Sequence, residues 1–502
     1  MSKEQRNLPG GYLLDHLYIK PYSGLRPNEE LKKVFLEFNI HESLFHPYGI
    51  YGDIIMNDAI NFMKYVPIIG EEFLNIFFKS SEENNDEFSK LRQLPISGIE
   101  KQAPISSNTQ AYSINFISPL LFNNRINRVI NSYKNIKANK IIDGIYENFL
   151  NKTLSMFGPE PDAFIEETEN SIDCIIPNWY PLDAMCWIAE RSINKNGNAD
   201  YLIYETYKTG FNFRSIDSLL EQDSKGTLTY EPSGGSQTPG ADSNRRNDST
   251  RIIKEFPIRR YKIIKSNDSN MNRLEGMMKS KIVTHDMVNK TIGGLLQTND
   301  NGEEIKYRWN YDEDFRKSNH LGKKDQTGAT DVGFPLLGIN PKRDNDDDFI
   351  SNTLNDTSSG YNYENNVSYH FKDDSLFPAQ VQNNIFPETY YLNRRSILNQ
   401  LNTWVLEVEI LGSTKLNVGD IVDFKLPSHE ALHGKQVNQP ELEMYSGRYI
   451  ITSIRYVFKQ AGLLLSMQLR KNALSKDYKD LDKLAVDGFE SPVHDDQKRN
   501  KK

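Results

Sequence analysis

Cysteine is nearly absent from this chain, which has two in 502 residues, Cys174 and Cys186. A disulfide framework needs more, and two thiols cannot form a zinc site alone. Cys186 lies at helical spacing with apolar neighbours (Leu182, Met185 and Ala189). This spacing predicts a buried, apolar thiol in a protein synthesised in a reducing cytoplasm.

An excess of positive charge is also lacking. The chain has 60 Lys and Arg against 68 Asp and Glu, a net charge of −8. General nucleic-acid binding draws its affinity from phosphate neutralisation, so this balance argues against it. No apolar run approaches the length of a membrane span, and the N-terminus has no signal-peptide core, so we expect no membrane partner.

Common catalytic motifs are missing too. The sequence contains neither a G-x-x-x-x-G-K-[ST] phosphate loop nor a G-x-S-x-G nucleophile elbow. Carboxylate pairs such as Glu71-Glu72 and Glu166-Glu167 are typical of solvated faces, so they identify no glycosidase pair. The four tryptophans are dispersed, which favours core or interface positions over a sugar-binding platform.

One string does match a catalytic motif. His429-Glu430-Ala431-Leu432-His433 has the H-E-x-x-H pattern of zinc peptidases, in which two histidines one helical turn apart bind zinc and the glutamate activates water. Pro427 and Gly434 leave room for only about two helical turns. We therefore predict no metal, no cofactor and no catalytic residue, and we retain a zinc-dependent peptidase or other hydrolase as the alternative.

The length predicts two to four domains. After an N-terminal arm, 1–30, the block 31–125 alternates apolar and polar residues. Leu36, Phe38 and Ile40 form one apolar set, and Tyr112, Ile114 and Phe116 another. Short strands separated by turn residues predict a first small β-barrel.

The middle region, 126–221, changes period. Apolar residues repeat at three and four over 126–150, which predicts one long helix or two short ones. A strand is expected at Asp173–Pro177, a helix from Pro181 to about Ile193, and strands at Tyr201–Tyr204 and Phe211–Phe213. The region therefore reads as an α+β domain.

Two polar regions follow. Residues 222–250 contain almost no large apolar side chain, which predicts a flexible linker. The region 251–395 is interpreted as an extension of the second barrel with long polar insertions, chiefly 296–375. Its Asp346-Asp347-Asp348 run lacks the pattern of a calcium loop. A charged, flexible tail is expected over 476–502.

The last block, 396–475, has the clearest β pattern. Its strands are predicted near Trp404–Ile410, Val422–Leu426, Ile450–Phe458 and Leu463–Leu469, with glycines between them. Together with a strand from elsewhere they predict a second small barrel. The fold class is therefore a β-rich α+β protein, with two small antiparallel β-barrels flanking an α+β insert, and long polar loops. The two blocks suggest a remote duplication, although no sequence identity shows it.

Two groups of segments resemble a known family. The first comprises IIPNWYPLDA at 175–184, DYLIYET at 200–206 and GFNF at 210–213; the second comprises LNVGDIV at 416–422, SGRYII at 446–451 and LLLSMQLRK at 463–471. In order and spacing these are similar to baseplate hub proteins of T-even-like contractile phage tails, and more distantly to VgrG-type spike proteins and late control protein D. The polar regions 222–250 and 296–375 are longer than in the compact hub pattern.

The resemblance implies a non-enzymatic structural protein of the virion, assembled in the host cytoplasm. It implies a homotrimer that joins a central spike protein to a tail tube or tube-initiator protein and contacts other baseplate proteins, with DNA at most passing through its channel. Two similar barrels in each of three chains would present six near-equivalent positions to a six-fold tube and keep three-fold symmetry for the spike.

Overall fold

The computed structural model describes residues 11–21, 29–80, 92–152, 163–230, 255–292, 308–310, 332–333, 367–372, 387–427 and 442–474, with single-residue or short gaps inside several of these ranges. These residues form a β-rich structure with a few short helices around two hydrophobic cores. The predicted β-rich α+β class is confirmed.

The first block consists of β1 (Tyr12–Lys20), β2 (Glu29–Glu30), β3 (Phe35–Ser43), β4 (Tyr51–Asp58), α1 (Phe62–Tyr65), β5 (Phe73–Ser80), β6 (Arg92–Ser106) and β7 (Thr109–Ile117). Its strands pair in the order β2-β1-β5-β6-β7-β4-β3, all antiparallel. The predicted N-terminal arm was wrong at 12–20, because these residues form β1 on the edge of β5.

The middle domain consists of α2 (Pro119–Ile126), β8 (Val129–Lys137), α3 (Ala138–Ile145) continued by a π-helical turn (Tyr146–Leu150), β9 (Phe164–Ile165), β10 (Ser171–Trp179), α4 (Pro181–Glu190), β11 (Tyr201–Thr206), β12 (Gly210–Ser215) and α5 (Ile216–Leu220). Its strands and its helix starting at Pro181 lie where the sequence predicts them, and they pack around a core of their own.

The helix predicted from 126 to 150 was wrong in its first half. Val129–Lys137 is the strand β8, which pairs antiparallel with β10. Val129 is buried, but Ile130 is 74% exposed and is therefore not part of a buried helical stripe. Pairing with β10 outweighs the local spacing of apolar residues.

The second β block consists of β13 (Ser224–Tyr230), β14 (Glu255–Ser266), β20 (Trp404–Leu411), β21 (Ile421–Lys425), β22 (Gly447–Lys459) and β23 (Gly462–Lys471). These six strands close into a barrel in the cyclic order β22-β21-β13-β14-β20-β23, since β23 also pairs with β22. The strand β13 is parallel to both neighbours, whereas the other pairs are antiparallel.

The predicted linker therefore starts too early, because residues 224–230 form β13. Its remainder, from 231, lies outside the described residues. Leu228 of this strand is fully buried, and the strand is held between β21 and β14 on both edges. Few apolar side chains are enough when both backbone edges are paired, which explains why the composition of the segment did not predict this strand.

Between β14 and β20 lies an insertion containing β15 (Lys279–Asp286), β16 (Thr291–Ile292), β17 (Arg308–Asn310), β18 (Val332–Gly333), β19 (Val367–Lys372) and α6 (Pro387–Leu401); β24 (Ala473–Leu474) pairs with β18. The prediction of an all-β block from 396 was wrong for 396–401, which end α6. No helix within the described ranges is long and apolar enough to cross a membrane.

Candidate functional site

The sequence-predicted catalytic alternative cannot be placed in this fold, since His429, Glu430 and His433 lie outside the described residues. Across the described part of the chain, no group of three or more His, Cys, Asp or Glu side chains is arranged to hold a metal ion. Burial raises the pKa of Cys174 to about 11 and that of Cys186 to about 12. Cys186 is partly rather than fully buried, and both cysteines are free thiols.

Buried carboxyl groups in the middle domain hold backbone and amide groups. The Asn194 amide donates to Asp200 (2.9 Å) and Asp217 (3.0 Å), and Asp200 accepts the Asp217 backbone N–H (2.8 Å). Burial, and then the neighbouring Asp217, raises the pKa of Asp200 well above its usual value. The cluster organises the start of α5 and has the geometry of a structural network.

The feature that distinguishes this fold is a repeated strand order. In the first block, five consecutive strands pair as β3-β4-β7-β6-β5, and in the second, β14-β20-β23-β22-β21 pair in the same order. All of these pairs are antiparallel in both blocks. Each block therefore contains the same five-stranded unit, and β3 corresponds to β14 while β6 corresponds to β22.

Irregularities in the strands repeat as well. The register between β6 and β7 shifts between Ile96 and Gly98, and that between β22 and β23 shifts between Ile451 and Ser453. In each block the residue before the shift donates its N–H to the backbone carbonyl of the residue that precedes the neighbouring strand. Ile96 donates to Glu72 (3.0 Å), and Ile451 donates to Asp420 (2.9 Å). Bulges are specific structural features, so the match is evidence for duplication.

A second bulge repeats in the same way. The β3–β4 register shifts between Phe35 and Glu37, and the β14–β20 register shifts between Ile258 and Arg260. The bulge in β3 changes which residue faces the core. Leu36 is turned outward and is 46% exposed, whereas Phe35 is buried in its place. Alternation alone had placed Leu36 on the core side.

The two blocks meet along one edge of β22. This edge pairs first with β21 over residues 447–450 and then with β3 over residues 453–459, so β21 and β3 lie end to end along it. Where they meet, the Leu44 N–H donates to the Thr452 carbonyl (2.9 Å). We call the β3–β22 pairing the junction.

The junction brings a second-block side chain into the first core. Phe458 is 1% exposed, and its ring centroid lies 4.6 Å from Phe78, 5.2 Å from Phe38 and 5.2 Å from Tyr12. The Tyr12 hydroxyl donates to the Lys459 carbonyl (2.8 Å). Because β22 supplies this ring, the two blocks share one continuous core.

Opposite charges line the other face of the junction. Glu37 on β3 pairs with Arg455 at 3.0 Å and with Lys459 at 3.2 Å on β22. These groups are partly exposed, so each pair contributes little stability. Their value lies in favouring this pairing of strands over others.

The middle domain is attached to both blocks. The buried Glu42 carboxylate accepts the Tyr207 N–H (2.7 Å), and Glu205 accepts the Ile50 N–H (3.1 Å). Arg448 on β22 donates to the Leu220 carbonyl at 3.1 Å. Burial raises the pKa of Glu42 to about 8.

Comparison with known proteins gives structural matches only. No family model and no curated protein matches the chain. A tail protein from Neisseria meningitidis MC58 is 9% identical with a TM-score of 0.46, covering 92% of this chain and 97% of that one. The 43 kDa tail protein of prophage MuSo2 from Shewanella oneidensis is 10% identical with a TM-score of 0.46, covering 90% and 97%.

A further match is an E. coli component of the type VI secretion system, described as structurally similar to tail proteins of bacteriophage T4. It is 10% identical with a TM-score of 0.37, covering 93% of this chain and 77% of that one. The matched structures are thus tail and type VI secretion proteins, the classes that the sequence resembles. With TM-scores below 0.5, the function must be argued from the chain's own geometry.

Proposed function

We propose that the chain is a structural hub subunit of a contractile phage tail, a homotrimer in the virion baseplate that joins the central spike to the tail tube. The observation that carries the proposal is the duplicated five-stranded unit, repeated in strand order and in two bulges. A single chain that carries one structural unit twice can present two near-equivalent surfaces.

The duplicated unit would allow one trimer to match two different symmetries. A tube built of six-subunit rings and a spike of three-fold symmetry need an adapter between them. Three copies of a chain with two equivalent units present six positions to the tube. Among the described residues the middle domain occurs once, so it can form a three-fold face toward the spike.

The sheet face opposite the core is suited to a wet channel. Its side chains include Glu37, His41, Asp53, Glu407, Glu409, Arg455, Lys459, Ser466 and Gln468. Charges of both signs occur there without an excess of basic groups, which is consistent with DNA passing through without being bound.

The assembly can be measured directly. Light scattering after size exclusion at several concentrations should give a mass three times 57.9 kDa, and negatively stained images should show a ring with six similar lobes. A monomer that persists at high concentration, or a ring of another symmetry, would reject the proposal.

The zinc-dependent hydrolase remains the alternative because of the His429–His433 string. Elemental analysis of protein purified without chelator separates the two classes. The hub proposal expects less than stoichiometric zinc, unchanged in His433→Ala. One tightly held zinc per chain that is lost in this variant would favour the hydrolase.

A further inference from the structure

We propose that the small sheet of the insertion is a docking site for an extended, acidic segment of another protein. The site is the face of β15 and β19 that points away from α6, together with the outer edge of β19. It is centred on Tyr369 and Phe371 and extends to Lys281 and His285. The inference goes beyond the hub proposal and does not rest on the trimer, because every residue of the site belongs to one chain.

Contacts with α6 define the inner face of β19. The Ser368 hydroxyl accepts a hydrogen bond from Arg395 of the helix (3.1 Å). The His370 ring lies with its centroid 4.3 Å from that of Tyr391, which is also on the helix. Because successive side chains of a strand point to opposite faces, the residues next to His370 point away from α6.

The outward residues of β15 and β19 form one contiguous surface. In the parallel pairing of the two strands, Tyr369 lies opposite Val283 and Phe371 lies opposite His285. Tyr369 is 70% exposed and Phe371 is 79% exposed, and the ring centroids of Tyr369 and His285 are 6.1 Å apart. Contiguous exposed apolar surface of this kind marks a site of interaction with another protein.

The outer edge of β19 is the second part of the site. One edge of β15 is paired with β19, and its other edge is paired with β16 and β17. None of the described strands pairs with the outer edge of β19. Such an edge offers backbone N–H and C=O groups to an added strand. The six residues of β19 match an extended peptide segment roughly 20 Å long.

The charge of the sheet favours an acidic partner. Its described strands contain a single carboxylate, Asp286, which is 3% exposed and lies on the buried side. Lys281 points outward between the buried residues Ser280 and Ile282, and Lys290 is exposed in the turn that follows β15. A segment that carries acidic residues beside apolar ones is therefore complementary to this face.

The helix α6 fixes the sheet to the middle domain. On one side of the helix, Arg394 donates to the Tyr201 carbonyl (2.9 Å). Toward the sheet, the Thr284 hydroxyl donates to Glu388 (2.6 Å). A strand edge that is already held in position needs little ordering when a partner binds, so more of the contact energy appears as affinity.

Peptide binding to the full-length chain tests the site. The probe is a fluorescein-labelled peptide of about ten residues in which glutamate alternates with valine and phenylalanine, and the control probe has lysine in place of glutamate. Fluorescence anisotropy should show saturable binding of the acidic probe that weakens with added salt, and roughly tenfold weaker binding of the basic probe. Equal binding of the two peptides, or no binding of the acidic one, would overturn the proposal.

Variants locate the binding on this face. Tyr369→Ser/Phe371→Ser should weaken binding of the acidic probe by roughly tenfold or more, because two apolar contacts are lost, and Lys281→Glu should weaken it by roughly threefold. The matched control is Phe164→Ser on β9 of the middle domain, where the ring is 51% exposed, and it should bind as the wild type does. The proposal fails if the double variant binds unchanged. It also fails if the double variant lowers the mass of the free protein, since this face would then pair with a second copy of the chain.

Discussion

Replacing Phe458 by alanine should destabilise the first block although the residue belongs to the second. The ring is 1% exposed and contacts three aromatic side chains, those of Tyr12, Phe38 and Phe78. Large-to-small changes of this type cost about 3–5 kcal/mol, and the more so where rigid neighbours cannot fill the space. Three packed rings cannot collapse easily, so we expect the upper part of this range.

Hydrogen exchange followed by mass spectrometry can locate the effect. In Phe458→Ala, peptides from β3 and β5 should exchange faster, together with those from β22. The control is Phe371→Ala on β19, where the ring is 79% exposed and the change should stay within about 0.5 kcal/mol. If exchange rises only in the β22–β23 hairpin while β3 and β5 remain protected, the two blocks do not share a core and the reasoning is refuted.

Further outcomes follow from the buried titratable groups. Because the pKa of Glu42 is raised to about 8 in the folded chain, its neutral form is favoured there, and stability should fall by at most about 1.4 kcal/mol per pH unit as the pH rises from the unfolded-state pKa of about 4.3 toward 8. Glu42→Gln keeps an acceptor for the Tyr207 N–H, so its denaturation midpoint should change less over this window; an unchanged slope would contradict the raised pKa. Cys174 and Cys186, with pKa values raised to about 11 and 12, should react with a thiol reagent at pH 7 far more slowly than a small-molecule thiol, and rapid labelling of the native protein would show the environment to be wrong.

Much of the β architecture could be predicted from alternation alone. The strands β20 to β23 alternate apolar and polar residues and have glycines near their ends, so their sequence pattern predicts them directly. Alternation could not predict the strands that depend on pairing with distant parts of the chain. β8 is held by β10 across 34 or more residues, and β13 is held on both edges by strands far along the chain.

The duplication was hidden for a related reason. Equivalent positions keep their place in the register without keeping their identity: Ser97 corresponds to Thr452, and Phe38 to Tyr261. A bulge depends on backbone geometry that many residues can adopt, so no motif marks it. The sequence could suggest two similar blocks, but only the paired registers align them.

Charge explains why β22 pairs with β3 and not with the equivalent strand β14. At the junction, β3 contributes Glu37 to the basic residues Arg455 and Lys459 of β22. The equivalent strand β14 is basic, with four Arg or Lys residues between 259 and 265. If β14 took the place of β3, it would set these cations against the cations of β22, and like charges at facing positions are unfavourable.

Discrimination between the equivalent strands β3 and β14 as the partner of β22 therefore comes from repulsion at the wrong pairing as much as from attraction at the right one. A chain that repeats one unit needs such a difference, because geometry alone would let β14 of one copy displace β3 of another. The reversed sign of charge on β3 and β14 is thus a requirement of the duplicated architecture, and Glu37→Lys should make the junction itself prone to exchange between copies, detectable as higher-order oligomers that the wild-type protein does not form.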